Sequence, residues 1–153
     1  MPNIQVAVAA MVKAPADEVY PILADYQNHH PHILPKAYFS GLKVEEGGQG
    51  EGTIIKAYLK VMGSQRLFSM RITEPEPGRV LAETDLDTGL VTTFTVMPCD
   101  HDQAEVTIAT TFQSKPGLKG WLERLTIPAY LRRIYRQELQ VLDEYMQQIK
   151  NSR

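Results

Sequence analysis

The sequence is short of cysteine and has no excess of basic residues. Cys99 is the single cysteine among 153 residues, so no internal disulfide can form and a hydrophobic core has to stabilise the fold. One unpaired cysteine suits the reducing cytoplasm, where we expect the protein to be. The 16 Lys and Arg residues and 18 Asp and Glu residues give a net charge of −2. Such a chain lacks the positive field that attracts nucleic acid, so no nucleic-acid partner is expected.

Long hydrophobic runs are also missing. Spanning a bilayer takes about 20 consecutive apolar residues, and no segment approaches this length. The N-terminus has no basic segment ahead of an apolar one, so we expect neither a transmembrane helix nor a signal peptide. Hydrophobic residues make up 43% of the chain and charged residues 22%, as in ordinary soluble proteins, and 153 residues are most simply one domain.

Apolar and polar residues alternate with a period of two over most of residues 3–112. In one such segment, Ile55, Ala57 and Leu59 share one face of a strand while lysines share the other. Gly and Pro mark short turns between the segments, which favours an antiparallel sheet in which sequence neighbours pair. Two short helices are predicted within residues 14–35. The predicted strands are residues 3–13, 38–46, 53–62, 65–73, 80–84, 90–97 and 104–112.

The C-terminal segment, residues 116–149, has a different period. Its apolar residues recur at steps of three and four, which predicts a long amphipathic helix whose stripe must pack on the sheet. We expect a kink or break at Pro128, because proline removes a helical hydrogen bond. Glu138 interrupts the stripe, and we expect it at the edge of the stripe, in contact with water. If buried, it would need a partner such as Arg66, Tyr58 or a donor on a ligand.

Four segments resemble one superfamily of domains. They are APADEVYPILADYQNHHPHILP (residues 14–35), GGQGEGT (47–53), ITEPEPGRVLAE (72–83) and GLKGWLERLTIPAYLRRIYRQELQVLDEY (117–145). They resemble the START-like or Bet v 1-like (SRPBCC) superfamily, in particular its polyketide cyclase/dehydrase and lipid-transport branch. The resemblance implies an α+β helix-grip fold in a single domain over residues 1–153. In that fold a seven-stranded antiparallel sheet wraps around a long C-terminal helix, and two short helices follow the first strand.

The resemblance also implies an apolar cavity between sheet and helix. Members of the superfamily bind lipids, sterols, hormones, quinones or polyketides there, and a minority catalyse cyclisation or dehydration. We therefore expect a protein that binds or carries a hydrophobic small molecule, with a polyketide cyclase, aromatase or dehydratase as the alternative. Aromatic and flexible apolar side chains are the predicted ligand contacts, although many must also form ordinary core. These predicted contacts are Tyr20, Tyr38, Leu59, Phe68, Met70, Phe94, Phe112, Trp121, Tyr130 and Tyr135.

Proton transfer in an enzyme of this kind would need titratable groups at the cavity. The candidates are His29, His30, Tyr38 and Glu138, since each can donate or accept a proton. His29 and His30, with His32, also suggest a metal site, but the specific spacing of known metal motifs is missing, and a polar loop explains them as well. We expect no metal and no cofactor, and the sequence leaves open whether any reaction is catalysed.

Overall fold

The computed structural model of the protein describes residues 3–61, 63–100, 102–113 and 117–153, without the side chains of residues 61 and 118–125. Its elements follow the predicted order, and the second of the two short helices is a 3₁₀ helix. The strands are β1 (Asn3–Val12), β2 (Phe39–Glu46), β3 (Ile54–Val61), β4 (Ser64–Glu76), β5 (Val80–Asp85), β6 (Val91–Asp100) and β7 (Gln103–Gln113). The helices are α1 (Ala16–Ala24), the 3₁₀ helix (His30–Ile33) and α2 (Leu118–Asn151).

The seven strands form one antiparallel sheet in the order β1-β7-β6-β5-β4-β3-β2. Strands β2 to β7 pair with their sequence neighbours through short turns, and β1 pairs with β7 over its whole length. The long helix α2 packs on the inner face of this sheet, which confirms the predicted helix-grip fold.

The core lies between the inner face of the sheet and α2. From α2 it receives Ile134, Leu139, Leu142 and Met146, each at most 3% exposed. The sheet contributes apolar side chains from alternate positions of its strands, and α1 covers one side of them. The buried side chains that the sheet contributes include Val6, Ile72, Leu81, Phe94, Val96, Val106 and Ile108.

Helix α2 runs continuously from Leu118 to Asn151 with Pro128 inside it, so of the kink or break expected at Pro128 the break does not occur. The proline ring removes a single N–H from a helix of 34 residues. Pro128 is itself buried, and the apolar stripe after it is anchored in the core. Packing of this stripe on the sheet therefore outweighs the loss of one backbone hydrogen bond.

The glycine-rich loop between β2 and β3 is tied to the end of α1 by backbone hydrogen bonds. The carbonyl oxygen of Gly48 accepts the N–H groups of Tyr26 at 2.8 Å and Gln27 at 3.1 Å, and Gly50 donates to Ala24 at 2.8 Å. Gly50 has φ of 61°, in the left-handed region that residues with a Cβ rarely adopt. Glycine is therefore favoured at this contact, which holds the chain after α1 over the inner face of the sheet.

We predict that Leu139→Ala lowers the free energy of unfolding by about 2–5 kcal/mol, because it leaves a cavity between α2 and the sheet. Gln137→Ala, at an exposed position of the same helix, should change it by less than about 0.5 kcal/mol. Urea denaturation of both variants measures the difference. Equal effects of the two substitutions would contradict the described packing of α2.

Candidate functional site

A row of polar side chains crosses the inner face of the sheet. Thr110 of β7 pairs with Thr92 of β6, and Thr92 pairs with Glu83 of β5. The two threonine hydroxyls are buried and lie 2.7 Å apart. Glu83 is two residues after the buried Leu81, so its side chain points to the same inner face, where it is 12% exposed. The apolar surface under α2 therefore contains a polar track three strands wide.

Glu83 is held by groups from the segment that follows α1. The hydroxyl of Tyr26, which is fully buried, donates to Oε2 of Glu83 at 2.7 Å. The ring of His30 stacks on Tyr26 with 4.2 Å between centroids, and its Nε2 lies 3.7 Å from the same oxygen. Phe94 covers His30 edge-on at 5.5 Å. A carboxyl, a phenol and an imidazole thus meet inside the domain.

The hydrogen bond on the other side of His30 determines its tautomer. Nδ1 lies 2.7 Å from the carbonyl oxygen of Leu23, which can only accept, so Nδ1 carries the proton and Nε2 presents a lone pair to Glu83. Burial lowers the pKa of His30 to about 4. Burial also raises the pKa of Glu83 to about 7, against the opposing effect of the Tyr26 hydrogen bond. Near pH 7 the contact therefore joins a neutral imidazole to a carboxyl close to half ionisation, and not two full charges.

Glu138 is buried in α2 at 4% exposure, so its predicted position at the edge of the stripe is wrong. It lies one turn after Ile134 and one turn before Leu142, both buried, and the stripe is wide enough to include it. Tyr58 is 47% exposed and Arg66 is exposed, so neither proposed partner reaches it. The carboxyl of Glu138 makes no hydrogen bond with the described residues. Burial, and then the negative charge of Glu83, raise its pKa well above the usual range.

Tyr135 extends the polar cluster from α2 to the sheet. Its hydroxyl is hydrogen bonded to that of Thr110, which in turn is bonded to Thr92. Burial raises the pKa of Tyr135 to about 12, so the phenol stays protonated and can donate. We define the polar cluster as Tyr26, His30, Glu83, Thr92, Thr110, Tyr135 and Glu138. It can donate hydrogen bonds, accept them and exchange protons with a bound molecule.

The histidine segment is divided between the interior and the surface. Only His30 belongs to the polar cluster. His29 Nδ1 lies 2.7 Å from the hydroxyl of Tyr145, and the exposed His32 stacks on the Tyr145 ring at 5.4 Å. These two histidines fasten the 3₁₀ helix to α2. In the described parts of the chain, no three His, Cys, Asp or Glu side chains come together as metal ligands.

The other predicted ligand contacts fall into three groups. Phe94 and Tyr20 are buried in the core, and the Tyr20 hydroxyl donates to Glu74 at 2.7 Å. Tyr38 meets Tyr130 edge-on at 5.7 Å and is half-buried. The Trp121 side chain lies outside the described residues. The half-buried predicted contacts are Tyr38, Leu59, Phe68, Met70, Phe112 and Tyr130.

A separate surface groove of about 410 Å³ lies beside α1 and the glycine-rich loop. Its walls include Pro21, Asp25, His29, Gly50 and Glu74, and no member of the polar cluster lines it. An open groove without a buried titratable group offers little control over a bound molecule. We therefore place the candidate site at the contact between the sheet and α2.

The sequence matches the family model described as polyketide cyclase / dehydrase and lipid transport over residues 3–147. The chain belongs to this family. The match covers every strand and almost all of α2, so the polar cluster lies entirely within the family domain. A comparison with functionally curated proteins gives no match. No described helix of this family member is long and apolar enough to cross a membrane.

Three solved structures share the fold of this family member over nearly their whole length. The KanY protein (ms6282) is 28% identical, with a TM-score of 0.83 over 96% of this chain and 99% of that one. The ZhuI aromatase/cyclase from Streptomyces sp. R1128 is 21% identical, with a TM-score of 0.79 over 97% and 96%. A START superfamily protein from Mycobacterium smegmatis is 14% identical, with a TM-score of 0.71 over 95% and 98%.

We predict that Glu83→Gln changes how stability depends on pH. The pKa of Glu83 rises from 4.5 to about 7 on folding, so between pH 4.5 and 7 the folded chain holds a proton on this carboxyl that the unfolded chain has lost. The contribution of Glu83 to the free energy of unfolding therefore falls as pH rises through this range. His30 acts in the opposite direction between pH 4 and 6.5, because its pKa falls on folding. The free energy of unfolding of the variant, relative to the wild type, should therefore increase by roughly 3 kcal/mol from pH 4.5 to 7.

Urea denaturation at several pH values measures the free energy of unfolding of both proteins. His30 is present in both, so its contribution cancels when the wild-type value is subtracted from that of the variant. Glu105→Gln, an exposed carboxylate of β7, is the control and should give a difference that is nearly constant with pH. A constant difference for Glu83→Gln as well would show that Glu83 is solvated in the folded state.

Proposed function

We propose that the protein binds a hydrophobic small molecule bearing oxygen atoms, of the lipid, quinone or polyketide kind, between the inner face of the sheet and α2. The observation that carries this proposal is the polar cluster, which lies on both facing surfaces. A core that served only packing would gain stability from apolar residues at Glu83 and Glu138, since burying carboxyls is costly. Ligand sites, by contrast, are largely apolar with a few convergent polar groups.

The half-buried predicted contacts indicate the end of the sheet at which a ligand would enter. In the antiparallel order, the ends of β7 and β3 and the beginnings of β4 and β2 lie at one end of the sheet. Phe112, Leu59, Phe68 and Tyr38 lie there, and Tyr130 joins them from α2 through a hydrogen bond to the carbonyl of Lys60 at 2.7 Å. We take this end as the entrance and the polar cluster as the inner end of the site.

A second function, acid–base catalysis on the bound molecule, is favoured by one specific observation. Glu83 has a pKa of about 7 and a phenol donor, Tyr26, at 2.7 Å. A group with this pKa is suited to giving and taking protons near neutral pH. In a dehydration, the ionised carboxylate would remove the proton next to a carbonyl. A protonated acid, Glu138, would protonate the leaving hydroxyl, so that water departs as the C=C bond forms.

Binding is tested first on the protein as purified. Native mass spectrometry and solvent extraction should detect an apolar molecule, and 1,8-dihydroxyanthraquinone should bind with one molecule per chain. Leu59→Lys, at the proposed entrance, should weaken this binding by about tenfold or more, because it places a charge on an apolar surface. Leu67→Lys on the exposed outer face should leave it unchanged. A chain that neither carries an apolar molecule nor takes up the probe would refute the binding proposal.

Catalysis is tested with a synthetic aryl β-hydroxyketone, whose loss of water is followed by absorbance and mass spectrometry. Glu83→Gln should reduce kcat by about 10²–10⁴, the usual contribution of a general acid or base. The pH profile of kcat/KM in the wild type should inflect near 7, the pKa of Glu83. Glu105→Gln serves as the matched control. A wild-type chain that binds the ketone and leaves it intact would identify a carrier.

A further inference from the structure

The first strand, β1, lies at one end of the sheet and pairs with a neighbour on one side only. It runs antiparallel to β7 from Asn3 to Val12 without a shift of register. In an antiparallel pair, every second residue points its N–H and C=O groups away from the partner strand. Apart from β7, none of the described residues forms a hydrogen bond with the backbone of residues 3–12. The outer edge of β1 is therefore open to a further strand.

The two edges of the sheet differ in the features that prevent strand pairing. Proteins usually protect an edge strand with charged side chains, proline or bulges, because an open edge pairs with other chains. The opposite edge, β2, has such protection, since Lys43, Glu45 and Glu46 are charged and two shifts of register interrupt its pairing with β3. The sequence of β1, NIQVAVAAMV, contains no charged residue and no proline. Of the two edges, β1 is therefore the one suited to pairing with another strand.

The inner face of β1 also leaves apolar surface in water. Val106 and Ile108 of β7 are fully buried. Their partners across the ladder, Ala10 and Val8 of β1, are only half-buried, and so is Ile4 on the same face. A strand placed beside β1 would remove this apolar surface from water and bond the open N–H and C=O groups. Both features indicate the same kind of occupant, a strand whose side chains alternate as those of β1 do.

The strand is ordered before any partner binds. Just beyond its end, the N–H of Lys13 donates to the carboxylate of Asp143 in α2 at 2.9 Å. The carbonyl of Lys13 accepts a hydrogen bond from the side chain of Gln147, also in α2, at 2.9 Å. With β7 along one side and α2 at its end, β1 loses little conformational freedom when it pairs, which favours association.

We propose that β1 is the interface of a homodimer, in which the β1 strands of two copies pair antiparallel about a twofold axis. Side chains alternate with a period of two, so inner side chains meet inner side chains when the axis passes through Ala7 or Val8. Each strand is uncharged, so the two copies bring no like charges together. The contact uses the same edge of both copies and closes at two, because the β2 edge is protected. Both α2 helices then lie on the same side of one continuous sheet.

Sedimentation equilibrium of the full chain, over about a hundredfold range of concentration, should show a dimer that dissociates on dilution. Ala7→Lys, on the exposed outer face of β1, brings two positive charges within about 8 Å of each other across the pair and should weaken dimerisation about tenfold or more. Val91→Lys, on the outer face of β6 away from the edge, is the matched control and should dimerise as the wild type does. A wild-type chain that stays monomeric throughout, or equal weakening by both substitutions, would overturn the proposal.

Ala7→Glu provides the complementary charge at the same position. Alone, it should dimerise as weakly as Ala7→Lys, but an equimolar mixture of the two variants should recover the dimer, because opposite charges then face each other. Mixing cannot repair a folding defect, so recovery would identify β1 as the contact, and circular dichroism checks that both variants are folded. A mixture of folded variants that stays monomeric would overturn the pairing of β1 with β1, even if the wild type dimerises through another surface.

Discussion

Burial of the apolar stripe of α2 on the inner face of the sheet is the contact on which the other features depend. The sheet cannot leave that face in water, and the apolar stripe of α2 would also be exposed to water if the helix stood alone. Leu139 and Ile134 reach the core from this stripe, and the same contact carries Glu138 inward. Burial of these apolar neighbours offsets the free-energy cost of burying the carboxyl of Glu138.

The sequence predicted the fold well because its signals are local. Period-two alternation, Gly and Pro turns and the three-and-four spacing of α2 each fall within a few residues of one another, and the strand order follows from short connections. Of the kink or break expected at Pro128, the break does not occur, and the reason lies in tertiary packing. Packing further along the helix overrides a local penalty, and that packing is not visible in the segment itself.

The site was predicted less completely, and Glu83 shows why. In VLAETD, apolar residues occupy both faces, so alternation does not reveal whether Leu81 or Val80 and Ala82 face inward. Pairing of Leu81 with Phe94 on another strand decides it, and Glu83 then follows inward. Tyr26 was likewise missed, because backbone bonds to the distant Gly48 place it. His30 and Glu138 were named as proton-transfer candidates, but local sequence could not separate His30 from His29 and His32, or show that Glu138 is buried.

The link between Gly48 and Tyr26 has a mechanical consequence. The carbonyl of Gly48 accepts the backbone N–H groups of both Tyr26 and Gln27, so the glycine-rich loop helps to position the phenol that binds Glu83. The bond of 2.7 Å between phenol and carboxyl therefore depends on where the loop lies. Because the hydrogen bond from Tyr26 lowers the pKa of Glu83, the contact between the glycine-rich loop and the chain after α1 contributes to the proton affinity of this carboxyl.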